Sequence, residues 1–594
     1  MQNGIVKKLV ALSLTALLLA QPVLAQTLSQ WDVTNTGQPT TEADFTVSEG
    51  TWMTVAVSPD GKTIIFDMLG DIYTMPITGG AATPILDGMA MQRSPRFSAD
   101  GRHILYVSDA SGSDNIWMAD PDGKNARQIS HETTSQMTGP AWGPRGTIAA
   151  ARMDATVAHL HASEIRLYDP AGGEGRLLAK PTTGENVHEA TFSPDGRFAY
   201  YTEKVTGPSA SHVYIDGNHM NYAIMQRDMQ TGQTDELIKG FGGATTPVVS
   251  RDGMQIAFVR RVMAKTVLFT YDIKTGEQRP VYDGLSRDDQ ADFIGQGLYY
   301  PQYDWLPDNR HIVIWAAGHL DKVDTQTGQV ENIPFSVHVR QQLTTPLRIQ
   351  HDIAPKVVKA RILRQLAVSP DGQTLLFQAL GSLWKQAQGK PVRLTAGTLP
   401  QFEPAFSPDG KSIAFIEWDD EKGSTLKVTT GAAVRTILAT SGVIREPSFS
   451  PDGKTIVYKI DNGDHCLGGH SIQQGLYTIP AAGGNPKYVT EAGEHPLFSP
   501  DGQRLYFVRD TYVGDDRIAT LSSVNLAGAD LRNHARTLNA DTSELRVSPD
   551  LKWIAFRDHQ QYYVTRFEPM GGTMTVQAAD TAAPVKLVGQ GGGY

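Results

Sequence analysis

"PAFSPDGKSIAFIEW", residues 404–418, is the stretch whose reading decides the fold. Two runs of strand-like residues flank a four-residue turn, Ser407-Pro408-Asp409-Gly410. Proline presets φ at the first central position of a tight turn and aspartate tolerates the second. Glycine takes the left-handed position that a bulged hairpin needs. The unit recurs. "SPDG" stands at 58–61, 193–196, 369–372, 407–410, 450–453 and 499–502. Degenerate copies stand at 98–101, 143–146, 250–253, 306–309 and 548–551. A third strand follows each pair, as in "GDIYTMPITGG" (70–80) and "QGLYTIPAAGG" (474–484). A shorter fourth element closes the unit, as in "PVRLTAG" (391–397).

Four antiparallel strands in roughly 40–50 residues are the signature of a β-propeller blade. The chain is therefore expected to be all-β. One blade cannot bury both of its faces, and stacking blades around an axis does so while hiding most strand edges. Eleven copies exceed the usual four to eight blades of one ring. Two consecutive propellers of four-stranded antiparallel blades are expected, about six blades and then five to six. The longest interval between copies contains "FSVHVRQQLTTPLRIQHDIAPKVVKARILRQ" (335–365), which breaks the blade pattern. This places the first propeller at 26–340 and the second at 341–594.

The first 25 residues read as a secretory signal peptide: Lys7 and Lys8, the apolar "LVALSLTALLLA", then small residues up to Ala25. A periplasmic location follows as the expectation. No later run approaches the ~18 uninterrupted apolar residues of a membrane span. The formal net charge is -10 and no stretch is densely basic, which argues against nucleic acid as a partner. Cys466 is the only cysteine, so no internal disulfide is available.

The "FSPDG" unit resembles the TolB-type propeller repeat of exported bacterial proteins. The first blade, "EGTWMTVAVSPDGKTIIFDMLGDIYTMPITGG" (49–80), is similar to the opening of the double-propeller region of large periplasmic amidohydrolases. That resemblance implies a role beside a metal-dependent hydrolase barrel. Such a barrel needs an HxH motif, further His and Asp ligands and about 250 residues of alternating strands and helices. The chain has no such stretch. A divalent metal is thus expected only in the missing hydrolase domain, and no cofactor is expected of this chain.

Candidate side chains cluster in insertions within the blades. His465, Cys466 and His470 in "DNGDHCLGGHSIQQG" (461–475) are weak metal candidates, since structural zinc sites usually pair their ligands at wider spacing. Packing of the cysteine as a small hydrophobe is the simpler reading. His212, Asp216 and His219 in "PSASHVYIDGNHMNYAIMQRD" (208–228) are candidates for a ligand or interface loop. His159 and His161 form an isolated HxH with no matching ligand set, and "HETTS" (131–135) and "HEATF" (188–192) lack the second histidine of a metalloprotease helix. No Gly-x-Ser-x-Gly occurs. No catalytic residue is assigned.

Three readings of function follow. The first is an exported, non-catalytic propeller module serving as scaffold or recognition region of an amidohydrolase-type enzyme. The second is a TolB-like envelope protein that binds other envelope proteins. The third is a hydrolase with its site on a propeller face. The terminal "PVKLVGQGGGY" (584–594) begins like the fourth strand of a blade and stops where another repeat is due. The expectation is that the second ring lacks a sixth blade, unless "WDVTNTGQ" (31–38) or a partner supplies it.

Overall fold

A computed structural model describes residues 32–153, 163–182, 186–205, 217–290, 298–345, 347–349, 351–461, 473–491, 493–513, 516–539, 542–568, 571–578 and 585–590. Among these, a single 3-10 turn at Pro144–Gly146 is the only helical element. All other regular structure is strand, in successive sheets that are antiparallel save for two parallel pairings. The chain divides into two compact units, 1–350 and 351–594.

The turn motif explains why the strands pair where they do. In blade after blade the serine hydroxyl donates to the aspartate two residues on, as from Ser450 Oγ to Asp452 Oδ1 at 2.6 Å. The same hydroxyl accepts the amide of Thr455 at 3.0 Å. Asp452 Oδ1 accepts the amide of Lys454, and Gly453, at φ 70°, donates its amide to the Ser450 carbonyl. The serine is the hub of this turn. The hydrogen bonds it and the next amides donate hold the Asp60, Asp409, Asp452 and Asp501 carboxyls below their ordinary range. The proline serves the next blade: a Cβ on Gly453 would lie 3.7 Å from Pro408, and one on Gly101 3.5 Å from Pro59.

The first unit holds six four-stranded blades, at 55–86, 92–128, 136–179, 187–238, 245–285 and 304–333. Its ring closes between the sixth blade and the first. Val55 donates its amide to the Gln302 carbonyl at 2.9 Å, and Val57 to Asp304 Oδ2 at 2.9 Å. Trp315 Nε1 donates to the Gly50 carbonyl at 2.8 Å. A Cβ on Gly61 would meet Pro307 at 3.0 Å, the same proline-on-glycine contact that links consecutive blades. Val55, Phe66, Trp305 and Ile314 share one buried core across this seam. After the sixth blade, strand Phe335–Thr344 runs parallel to Gly80–Leu86, the outer strand of the first blade. Strand Thr40–Val47 then pairs antiparallel with Phe335–Thr344. Residues 32–38 of the segment "WDVTNTGQ" therefore lead into a strand of the first unit. Residue 340 lies within Phe335–Thr344, and the units part after Gln350.

The second unit holds five blades, at 364–393, 401–440, 443–490, 494–537 and 542–590. Strand Met574–Val576 adds a fifth, parallel strand to the fourth of these. Strand Lys586–Gln590 is the outer strand of the last, as "PVKLVGQ" suggests. The leading side of blade 364–393 is uncovered. Leu366 and Val368 are each 62% exposed, and a Cβ on Gly372 would meet nothing within 4 Å.

Ser450→Ala removes the hub of one turn and leaves the Thr455 amide without its partner. Thermal or urea unfolding should show the second unit destabilised by about 1–2 kcal/mol, with no change in β-sheet circular dichroism below the transition.

Candidate functional site

Because the strands of each blade alternate in direction, the SPDG turns lie at one end of a blade. The loops between second and third strands, and the connections to the next blade, lie at the other. His159, His161, His212, Asp216, His465, Cys466 and His470 lie outside the described residues. His219 is exposed, just before strand Tyr222–Asp228. Among the described residues, no group of three His, Cys, Asp or Glu side chains is arranged to hold a metal ion.

What the structure assembles at the loop end of the first unit is a buried polar and aromatic layer. The innermost strand of nearly every blade carries a bulge four residues before the turn serine. The residue there has a left-handed backbone: Ser94, Glu189 and Thr246 in the first unit, and Gln365, Glu403, Glu446, His495 and Glu544 in the second, with φ between 50° and 60°. A bulge leaves an amide unpaired in the ladder. The amide is taken by a side chain of the preceding blade. Thr246 N donates to Glu189 Oε2 at 2.7 Å, and Glu403 N to Gln365 Oε1 at 2.9 Å. Glu446 N donates to Glu403 Oε2 at 2.5 Å, and His495 N to Glu446 Oε2 at 2.6 Å. In the first two blades Asp67 accepts both Thr54 N at 2.7 Å and Ser94 N at 2.6 Å.

Glu189 is the centre of the layer. Beyond Thr246 N it accepts the hydroxyls of Thr202 at 2.8 Å and Thr246 at 3.0 Å. It also accepts the amide of Tyr299 at 2.9 Å. Burial raises its carboxyl above the ordinary range, and these four hydrogen bonds work against that rise. Tyr299 belongs to the connection between the fifth and sixth blades. Its ring stands 4.3 Å from Tyr222 and 5.8 Å from His188. Tyr303 donates its hydroxyl to the Thr246 carbonyl and Tyr300 to the Trp315 carbonyl, both at 2.8 Å. Leu298 lies where a Cβ on Gly139 of the third blade would meet it, at 3.6 Å. With the Gln302 carbonyl accepting the Val55 amide, one segment, 298–303, thus touches five blades, and its three tyrosines are buried.

Ser163 Oγ lies 3.3 Å from His188 Nε2, a spacing reminiscent of a nucleophile and its base. The arrangement does not support that chemistry. His188 is 1% exposed, its Nδ1 meets no acceptor among the described residues to orient the ring, and burial pushes it down to about 3. Ser163 Oγ already donates to the Val187 carbonyl and accepts the Val187 amide, each at 2.8 Å. A triad needs an oriented base and an accessible nucleophile. Nearby, Arg261 and Asp288 form an ion pair at 2.9 Å with side chains 2% and 0% exposed, and Thr266 donates to the same carboxylate. This pair fastens the connection after the fifth blade; truncating either member would cost about 3–5 kcal/mol.

Sequence reading found none of these residues. It set aside His188-Glu189 as a failed metalloprotease motif, whereas both stand on an innermost strand. The signal was the recurrence of Gln or Glu four positions before the turn serine, at 189, 365, 403, 446 and 544.

Asp67 and Asp71, both in the first blade, are pushed up to about 6 by burial. The folded state therefore holds protons that the unfolded chain releases between about pH 4 and pH 6. The stability these groups contribute grows as pH falls through that window and is lost as pH rises. Asp324, held well below the usual range by the hydrogen bond from Arg310, acts oppositely, its contribution failing below about pH 4. His188, pushed down to about 3, opposes them, since below about pH 6.5 the unfolded chain takes up a proton that the folded state refuses. Scanning calorimetry from pH 7 to pH 5 should therefore read the carboxyl contribution as the difference between wild type and variant. In Asp67→Asn, less stable overall because one of two amides loses its acceptor, that contribution should shrink.

Comparison with known proteins agrees with this architecture. The family model described as TolB beta propeller domain matches residues 34–219, and that of the lipoprotein LpqB beta-propeller domain matches 381–556. An uncharacterised protein of Agrobacterium fabrum is 31% identical over 153 residues, which are 24% of this chain and 52% of that protein. Dipeptidyl-peptidase 5 of Porphyromonas gingivalis is 24% identical over 369 residues, 51% of each chain. The chain thus spans about half the length of these curated relatives. The solved structure of a putative TolB from Agrobacterium tumefaciens is similar at 17% identity and a TM-score of 0.26, over 45% of this chain and 88% of that one. Within the described residues, this chain consists of TolB-like β-propeller blades in two successive arrays.

Proposed function

We propose that the chain is an exported, non-catalytic β-propeller module. It serves as scaffold or recognition region for a metal-dependent hydrolase of amidohydrolase type that lies outside these residues. The observation that carries this reading is the engagement of four buried side chains of the first unit, none of them left to act on a substrate. Glu189, Ser163 and the Arg261–Asp288 pair each hold one blade or connection to the next. Groups so engaged give a rigid frame whose work falls to surface loops, as is usual for propellers. The similarity of residues 49–80 to the opening blade of the amidohydrolase propellers supplies the nature of the enzyme. None of the described helices is long and apolar enough to cross a membrane.

The chain supplied with zinc or manganese and offered amide, lactam and peptide substrates is expected to show no turnover above the uncatalysed background. Metal-dependent hydrolysis that survives repurification and tracks the protein would overturn the proposal. A second reading, a TolB-like envelope protein that binds other envelope proteins, is favoured by the family models matched in both units. Cross-linking in envelope extracts separates the two. Repeated recovery of one non-hydrolase envelope protein supports the second reading, and recovery of an amidohydrolase supports the first.

A further inference from the structure

The uncovered side of blade 364–393 continues into the segment that precedes it. The residue three before the turn serine is buried in ten blades, from Val55 and Pro95 to Pro496 and Leu545. In this blade it is Leu366, 62% exposed, and Val368 beside it on the same face is equally exposed. Upstream, residues 351–363 run without regular secondary structure and display Ile353 at 98% exposure, Val357 at 83% and Ile362 at 66%. Between 351 and 368 stand four cations, Lys356, Lys359, Arg361 and Arg364, against one carboxylate, Asp352. Asp352 is turned to the Ala354 amide, and none of the four cations has an ion-pair partner among the described residues. This concentration of positive charge belongs to a chain of net charge -10.

From this geometry we infer that residues 351–368 form a docking strap for an anionic lipid surface. Apolar side chains bury into the interface of a bilayer while interleaved Lys and Arg meet anionic headgroups, each cation adding attraction near the surface. A second copy of the chain is a poor occupant, because two straps would oppose like charges. An acidic protein would satisfy the charge. A bilayer interface also accepts apolar side chains at irregular spacing, as on residues 351–363, without requiring a matching set of pockets. The inference is independent of which hydrolase or envelope protein the propellers serve.

The test is flotation of the full chain with vesicles of phosphatidylglycerol and phosphatidylethanolamine, and with vesicles of phosphatidylcholine alone. Binding to the anionic vesicles, weakened by 0.5 M salt, is expected. Lys356→Gln, Lys359→Gln, Arg361→Gln and Arg364→Gln together should weaken partitioning by roughly three orders of magnitude. Ile353→Ser with Val357→Ser should weaken it independently of salt. These side chains are exposed, so unfolding temperatures should match wild type. The apolar residues 9–20 are common to all variants, so the readout is the difference between them. Equal binding by wild type and variants, or equal binding to neutral vesicles, overturns the inference. Failure of the wild type to bind either vesicle does the same, and leaves the strap to an acidic protein.

Discussion

A backbone amide freed by a bulge, and the side chain one blade away that accepts it, is the interaction on which the rest of this structure depends. The innermost strand must bend to let blades fan around an axis, and a bulge with one left-handed residue supplies the bend. That bend leaves an amide without its ladder partner, and a buried amide left unpaired costs ~1–3 kcal/mol. The chain answers by placing an acceptor at the same bulge of the preceding blade. Gln365, Glu403 and Glu446 each hold the next blade's bulge. The device joins neighbours in order and adds directionality that apolar packing lacks.

The companion groups of these carboxylates differ between the units. Glu189 has only neutral donors, so burial dominates and its carboxyl is raised. Burial also pushes Glu446 upward, but the hydrogen bond and charge of His495 outweigh it and hold the carboxyl below its usual range. Glu403 receives Arg445 at 2.7 Å. The same backbone task is thus done by acids in opposite electrostatic settings, and those of the second unit carry their own counter-charges.

The repeat was legible because its chemistry is local. Proline, aspartate and glycine each act within four residues, so counting turns was enough to find eleven blades and the fourth-strand character of "PVKLVGQ". The serine's role was within reach of the same argument, since both of its hydrogen bonds close inside five residues. The acceptors of the links between blades left a trace in the recurring Gln or Glu, but their partners were not legible. Asp67 holds Ser94, and Glu189 holds Tyr299, across separations no motif spans. The parallel pairing of Phe335–Thr344 with Gly80–Leu86 was hidden for the same reason. That strand reads as a break in the blade pattern because its partner lies at the other end of the first unit.

This last pairing bears on the order of events during synthesis. The first blade is complete once residue 86 has emerged, yet its outer strand stays an open edge until Phe335–Thr344 arrives. Strand Thr40–Val47 waits even longer for a partner, since its register runs from Thr40 opposite Thr344 to Val47 opposite Val337. At elongation rates of ≈ 5–20 residues per second, some 250 residues amount to tens of seconds. An exposed edge held that long is a template for wrong pairing. Glu42 and Asp44 on the waiting strand, facing Arg340 in the finished fold, keep it charged through that interval. The same residues that secure the seam in the folded state therefore guard it while the seam does not yet exist.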